Sequence, residues 1–159
     1  MEKEIKGQDI CVNSVNIRFK KLRENGKMPV YGTDFSAGAD LCAATEEPLT
    51  VRPGETVPVG TGIALEIPEG LVGLVFGRSG LASKRDLAPA NKVGVIDSDY
   101  RGEITVMIHN HGSEVREILP GERIAQILFM PYFKGLFEES ETLCETKRGA
   151  GGFGSTGRN

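Results

Sequence analysis

The stretch Thr56-Val57-Pro58-Val59-Gly60-Thr61-Gly62-Ile63-Ala64-Leu65-Glu66-Ile67-Pro68 decides the fold class. Val57, Val59, Thr61, Ile63, Leu65 and Ile67 share one parity, the period-two signature of extended chain with one buried face. Turn residues close the run on both sides, Pro53-Gly54 before it and Pro68-Glu69-Gly70 after it. The same alternation recurs outward. Val15, Ile17 and Phe19 alternate with Asn16, Arg18 and Lys20, and Ile104, Val106 and Ile108 share a parity. Further on, Ile124, Gln126, Leu128 and Met130 do the same, after turns at Asn110-His111-Gly112 and Pro120-Gly121. Twenty-one glycines and eight prolines in 159 residues break the chain into short strands and leave little room for long helices. The pattern predicts a single all-β domain, a sandwich, jelly roll or barrel, with one short helix near Ser79 to Arg85 and Ser79 as its N-cap.

The length suits one ordinary domain, large enough to bury its own core. A net charge of −3 argues against a duplex-binding footprint, so no nucleic-acid partner is expected. The longest apolar run, Leu71 to Phe76, is interrupted by Gly73 and is too short to cross a bilayer. Met1-Glu2-Lys3-Glu4 mixes charge signs and leads into no apolar block, so no signal peptide and a cytoplasmic location are expected. Cys11, Cys42 and Cys144 are odd in number and far apart, which argues against a disulfide framework and a structural zinc site. His109 and His111 stand two apart with no third ligand of matching type nearby.

Five segments can carry chemistry. In Ser36-Ala37-Gly38-Ala39-Asp40-Leu41, small residues leave space beside a carboxylate. In Gly77-Arg78-Ser79-Gly80-Leu81-Ala82-Ser83-Lys84, glycines flank an Arg-Ser pair at a helix start, where outward amides and a guanidinium suit an anion. Asn91-Lys92-Val93-Gly94-Val95-Ile96-Asp97-Ser98-Asp99-Tyr100-Arg101-Gly102 reads as an apolar strand ending in a cluster of acids and a tyrosine. On extended chain Asp97 and Asp99 would share a face, a turn would break that rule, and the spacing leaves open which acid works. Gly121-Glu122-Arg123-Ile124-Ala125-Gln126-Ile127 sets a glutamine among apolar residues, where backbone or ligand must satisfy it.

The fifth segment is the glycine-rich end. Gly149-Ala150-Gly151-Gly152-Phe153-Gly154 matches G-x-G-x-x-G, but only five residues follow, too few for the helix a dinucleotide fold requires. Its glycine amides with Ser155 and Thr156 can instead wrap phosphate oxygens, Arg148 can add a charged fork, and Phe153 can stack on a base. By composition residues 148–159 form a mobile tail after a domain of residues 1–147.

These five segments, in this order from Ala37 to Gly157, resemble the trimeric dUTP pyrophosphatase (dUTPase) family over about three quarters of the chain. The resemblance implies an all-β, jelly-roll-like (β-clip) single domain that assembles as a homotrimer and hydrolyses dUTP to dUMP and pyrophosphate, limiting uracil in DNA and supplying dUMP. Each active site would be shared by three subunits. The third segment would form a hairpin cradling deoxyuridine, the first, second and fourth would come from a second subunit, and the tail would arrive from the third as a lid.

Carried over residue by residue, the resemblance makes Asp97 the general base. Tyr100 would pack under the deoxyribose, and Asn91 with backbone near Val95 would read uracil. Arg78, Ser79 and Gln126 would bind phosphate or the shell of the attacking water, with Gly80 beside them on the substrate. Arg148, Gly154, Ser155 and Thr156 would close on the terminal phosphates, with Phe153 over the base. Mg²⁺ would be held mainly by substrate phosphates, Asp40 acting on it through water.

Two features depart from the family pattern. Gly77 stands where proline is usual, which loosens the loop, and Arg85-Asp86-Leu87 replaces the commoner glycine-hydrophobic ending. A dCTP deaminase shares the Arg-Ser and hairpin regions, but Gly102-Glu103-Ile104-Thr105-Val106 runs on to Met107 without the glutamate that family carries there. A non-catalytic nucleotide-binding module would keep the pocket and lose the base, and Asp97 is present.

Overall fold

The computed structural model describes residues 14–152. In chain order its first strands are β1 (Arg18–Lys21), β2 (Val30–Tyr31), β3 (Ala39–Cys42), β4 (Leu49–Val51), β5 (Thr56–Gly60), β6 (Ile63–Glu66) and β7 (Leu71–Phe76). Helix α1 (Ser79–Arg85) is followed by β8 (Leu87–Pro89), β9 (Val93–Ile96), β10 (Thr105–Asn110), β11 (Arg116–Ile118) and β12 (Arg123–Pro131). The strands pair in the orders β2-β3-β12-β7-β9, β5-β10-β8, β11-β4 and β1-β6. Every ladder is antiparallel. All four groups contribute to one core: Leu41, Val51, Val59, Ile63, Leu87, Ile108, Ile118 and Ile127 are each fully buried. Burying each such side chain contributes about 1.5–3 kcal/mol, which is what commits these short strands to one packing.

The run from Val57 to Ile67 buries every residue of its predicted parity. It is nevertheless two strands. β5 pairs with β10 and β6 with β1, and the chain turns from one sheet to the other at Thr61-Gly62, where Gly62 has φ +68°. Thr61 stays buried because its Oγ1 donates to the Ile104 carbonyl at 2.7 Å. Pro58 is tolerated because β5 is an edge strand. The predicted Pro53-Gly54 and Pro120-Gly121 turns form, with Glu55 N donating to Arg52 O at 3.0 Å and Glu122 N to Leu119 O at 3.0 Å. Gly54 and Gly121 take φ +73° and +75°, the third position of a type II turn.

Three expectations are corrected. Helix α1 spans Ser79–Arg85 as predicted, but Ser79 is its first helical residue. Arg78 is the N-cap, with extended φ −103° and ψ 131° and no side-chain capping bond, because its side chain is engaged elsewhere. Second, Ile124 does not share a face with Gln126. Arg123 pairs with Cys42 and Ala125 with Leu41, so Ile124 is an extra residue, a β-bulge that lets Ile124 and Ala125 both be buried. Third, the stretch after β9 does not return as its partner. β9 pairs with β7, while Ile104 bonds Thr61 and Ile63. The expected hairpin is therefore an excursion from the β8–β10 ladder that crosses to another sheet.

Candidate active site

The first candidate hollow, about 640 Å³, opens beside β3, β12 and the start of α1. Asp40 and Gln126 are directly opposed in the β3–β12 ladder, so they share the outward face. Arg78 Nε donates to Asp40 Oδ1 at 2.7 Å, and Arg123 Nη1 donates to Oδ2 at 3.0 Å. The Asp40 side chain is 15% exposed, which strengthens both charge-assisted bonds relative to a surface pair. Two guanidiniums against one carboxylate leave the hollow with an excess positive charge, an environment for a polyanion. Ser79 and Gly80 complete the wall at the helix start.

Gln126 Nε2 donates to the Gly77 carbonyl at 2.9 Å, so backbone satisfies the half-buried amide. Gly38 makes this possible, since a Cβ there would stand 2.5 Å from Gln126 Oε1. Burial pushes the neighbouring Cys42 thiol above its ordinary value, which keeps it protonated and unreactive. At the far end of α1, Asp86 takes the left-handed conformation, φ 56°, where glycine is common. Its carboxylate faces Arg116 at 3.5 Å, while Arg85 pairs with Glu122.

The second hollow, about 1160 Å³, is lined by Val95 and Asp97 together with Arg18, Glu66, Arg101 and Lys134. Asp97 opens a β-turn closed by Tyr100 N donating to Asp97 O at 3.1 Å, so the chain is not extended there, and Asp97 and Asp99 both line this hollow. Arg101 Nη1 locks the turn, donating to Ser98 O at 2.6 Å and Tyr100 O at 3.0 Å. Tyr100 Oη donates to Glu103 O at 3.1 Å. Gly102 lies under that ring, and a Cβ there would stand 2.4 Å from the Tyr100 hydroxyl. Among the described residues the Asp97 carboxylate takes no hydrogen bond or ion pair, which leaves it free to act on a ligand.

The structure thus gathers Asp40, Arg78, Ser79, Gly80 and Gln126 at one hollow and Val95 and Asp97 at the other. Among the described residues the two share no lining residue. Asn91 sits exposed in the turn before β9 and lines neither hollow, and Tyr100 stands exposed beside the Asp97 turn. Arg148 is exposed, and among the described residues its side chain bonds locally, Nε donating to Gly151 O at 2.9 Å. Phe153, Gly154, Ser155 and Thr156 lie outside the described residues. Arg123 was not picked out by sequence reasoning. Its odd separation from Gln126 places the two on opposite faces of a regular strand. The available signal was the adjacent apolar pair Ile124-Ala125, which breaks the alternation.

Fold and site together define a small antiparallel β protein with one basic, carboxylate-braced hollow and one acidic turn, a polyanion-handling class. A family model described as dUTPase matches residues 24–157. A deoxyuridine 5'-triphosphate nucleotidohydrolase of Desulfitobacterium hafniense is 51% identical over 149 residues, covering 92% of this chain and 99% of that protein. The Staphylococcus bacteriophage 80alpha dUTPase with dUPNHPP superposes with a TM-score of 0.82 at 29% identity, covering 91% of this chain and 99% of that one. A dUTPase from phage phi11 of S. aureus, whose structure shows the coordination of a structural Mg(II) ion, gives a TM-score of 0.74 at 26% identity, over 80% of this chain and 98% of that one. With most of its length matched by the family model, the chain belongs to the dUTPase family.

Proposed function

We infer that the protein is a dUTP diphosphatase, releasing dUMP and pyrophosphate, and that its site is assembled between copies of the chain. One observation carries the assembly reading. Among the described residues the basic hollow and the Asp97 hollow share no lining residue, so Arg78 and Gln126 do not stand beside Asp97 within a chain. Pairing the hollow of one copy with the turn of another supplies phosphate-binding cations and a free carboxylate together. The near-complete exposure of Phe133, Leu136 and Phe137 supports this, because a neighbouring copy would cover them. The assembly proposed is a homotrimer with shared sites.

In the proposed reaction Asp97 orients a water and takes its proton. The water oxygen bonds to the α-phosphorus, the bond from that phosphorus to the bridging oxygen breaks, and pyrophosphate leaves with the electron pair. Asp97 contributes position more than basicity. Arg78, the Ser79 and Gly80 amides and Gln126 hold the phosphates. Tyr100 packs against the deoxyribose and leaves no room for a 2′-hydroxyl, while Asn91 and backbone at Val95 read the base. Arg148, Gly154, Ser155 and Thr156 close on the terminal phosphates with Phe153 over uracil.

Among the described residues no group of three or more His, Cys, Asp or Glu side chains could cage a metal ion. Both Asp40 oxygens already accept from guanidiniums. This donor set does not fit a bare cation, but it fits a hydrated Mg²⁺ carried on substrate phosphates, with Asp40 contacting its waters. When bound, Mg²⁺ supplies charge neutralisation on the phosphates.

Release of pyrophosphate from dUTP, and not from the four standard deoxynucleoside triphosphates, is the expected result. Ammonia from dCTP, or dUTP binding without turnover, would overturn it. Subunit sharing is tested by mixing inactive Asp97→Asn and Arg78→Ala proteins under conditions of subunit exchange. Mixed oligomers regain activity if the site is shared and stay inactive if one chain supplies both groups.

A further inference from the structure

We propose that Arg123 is a positioning residue for phosphate binding, delivered to the basic hollow by the β12 bulge. The proposal rests on the dUTPase reading and adds a residue to the site. Arg123 and Gln126 are three apart, so on a regular strand they would point to opposite faces. The extra residue at Ile124 restores the phase: Arg123 opposes Cys42, Gln126 opposes Asp40, and both then flank the same carboxylate. Bulges re-aim side chains in this way. The bulge leaves two consecutive residues, Ile124 and Ala125, fully buried, so core packing fixes the phase that brings Arg123 round.

What Arg123 does there follows from charge and geometry. Arg78 gives its Nε to Asp40 Oδ1, and as an isolated pair the two would largely cancel. Arg123 takes the other oxygen, Oδ2, at 3.0 Å. It thereby fixes Asp40 from both sides and restores the surplus positive charge. Its side chain is 57% exposed, so the guanidinium lies at the mouth of the hollow and not in the core. Next to it, Glu122 accepts the Leu119 amide at 2.9 Å and pairs with Arg85 of α1, which ties the strand start to the far end of the helix that begins beside Arg78. Arg78 and Arg123 are thus set against one another through Asp40 at one end of α1 and through the Arg85–Glu122 pair at the other.

The test uses the full-length protein with dUTP as substrate across a Mg²⁺ series, with a circular-dichroism melt of each variant as a folding check. Wild-type pyrophosphate release comes first, since its failure would sink the dUTPase reading and not this one. Given wild-type turnover, Arg123→Ala should lose about ten- to a hundredfold in kcat/KM, carried mainly by KM, the size expected for a charge-assisted hydrogen bond. Arg123→Lys should recover part of the loss, because charge is kept and the planar fork is not. Arg123→Ala combined with Asp40→Asn should cost little more than Asp40→Asn alone, because the two act as a unit. A wild-type KM in a folded Arg123→Ala protein, or a loss that adds in full to that of Asp40→Asn, would overturn the proposal.

Discussion

The basic hollow and the Asp97 turn hold their charges in opposite ways. At the hollow, Asp40 is caught between Arg78 and Arg123, Gln126 is tied to the Gly77 carbonyl, and both ends of the neighbouring helix are pinned by ion pairs. At the turn, backbone bonds and Arg101 fix the peptide, while among the described residues the Asp97 carboxylate has no partner. One region is braced before any ligand arrives, and the other has a rigid frame with a free acid. The contrast separates two tasks. Groups that bind a polyanion gain from being pre-arranged. A group that must accept a proton gains from not being neutralised beforehand.

Breaking the turn side should cost most. Asp97→Asn should lower turnover by about 10²–10⁴-fold while leaving affinity for a non-hydrolysable dUTP analogue near wild type, measured by pyrophosphate release and calorimetry. Loss of both together would assign Asp97 to binding. Next comes Gly102→Ala, whose new Cβ must displace the Tyr100 ring. The dUTP-to-UTP preference in kcat/KM should fall by about tenfold or more, the scale of a packing filter, and an unchanged ratio would remove the tyrosine from sugar selection.

Gly38→Ala probes the braced side. Its Cβ pushes Gln126 off the Gly77 carbonyl, and one lost hydrogen bond of about 1 kcal/mol predicts a roughly fivefold rise in KM with kcat little changed. A fall in kcat alone would contradict a binding role for Gln126.

The smallest effect lies away from both hollows, at His111, whose ring stands 4.4 Å from that of His109. Partial desolvation first, then His109 and Lys92, hold its pKa below the ordinary value of 6.5, against the opposing pull of Asp86. The unfolded chain therefore binds more protons just below pH 6.5. No penalty exists above that pH, and a small one grows as pH falls and is complete below the lowered folded value. Denaturant midpoints between pH 7.5 and 5.5 should show this decline, and His111→Gln should flatten it.

Much of the fold was legible because strand burial writes itself as parity. Val57 to Ile67 and Ile104 to Ile108 are buried as their alternation demands, and the Pro-Gly turns fall where expected. The sheet change at Thr61-Gly62 was not legible, since the parity continues across it. The bulge at Ile124 left only a faint mark, the adjacent apolar pair Ile124-Ala125, which breaks the alternation without saying which residue is the extra one. Serine is a good capping residue, yet Arg78 holds the N-cap position, and its side chain bonds Asp40 instead of capping the helix. Asp40, Arg78 and Gln126 could be named from motif order. Their mutual contacts, and the part played by Arg123, depend on register, which no single segment records.

The corner at Thr61-Gly62 has a mechanical consequence. One uninterrupted buried face runs through two ladders, so neither sheet can peel away without dragging core side chains of the other into water. Slow amide exchange in β5 and β6 should therefore share a common opening energy, and the domain should melt as one cooperative unit instead of shedding a sheet at a time.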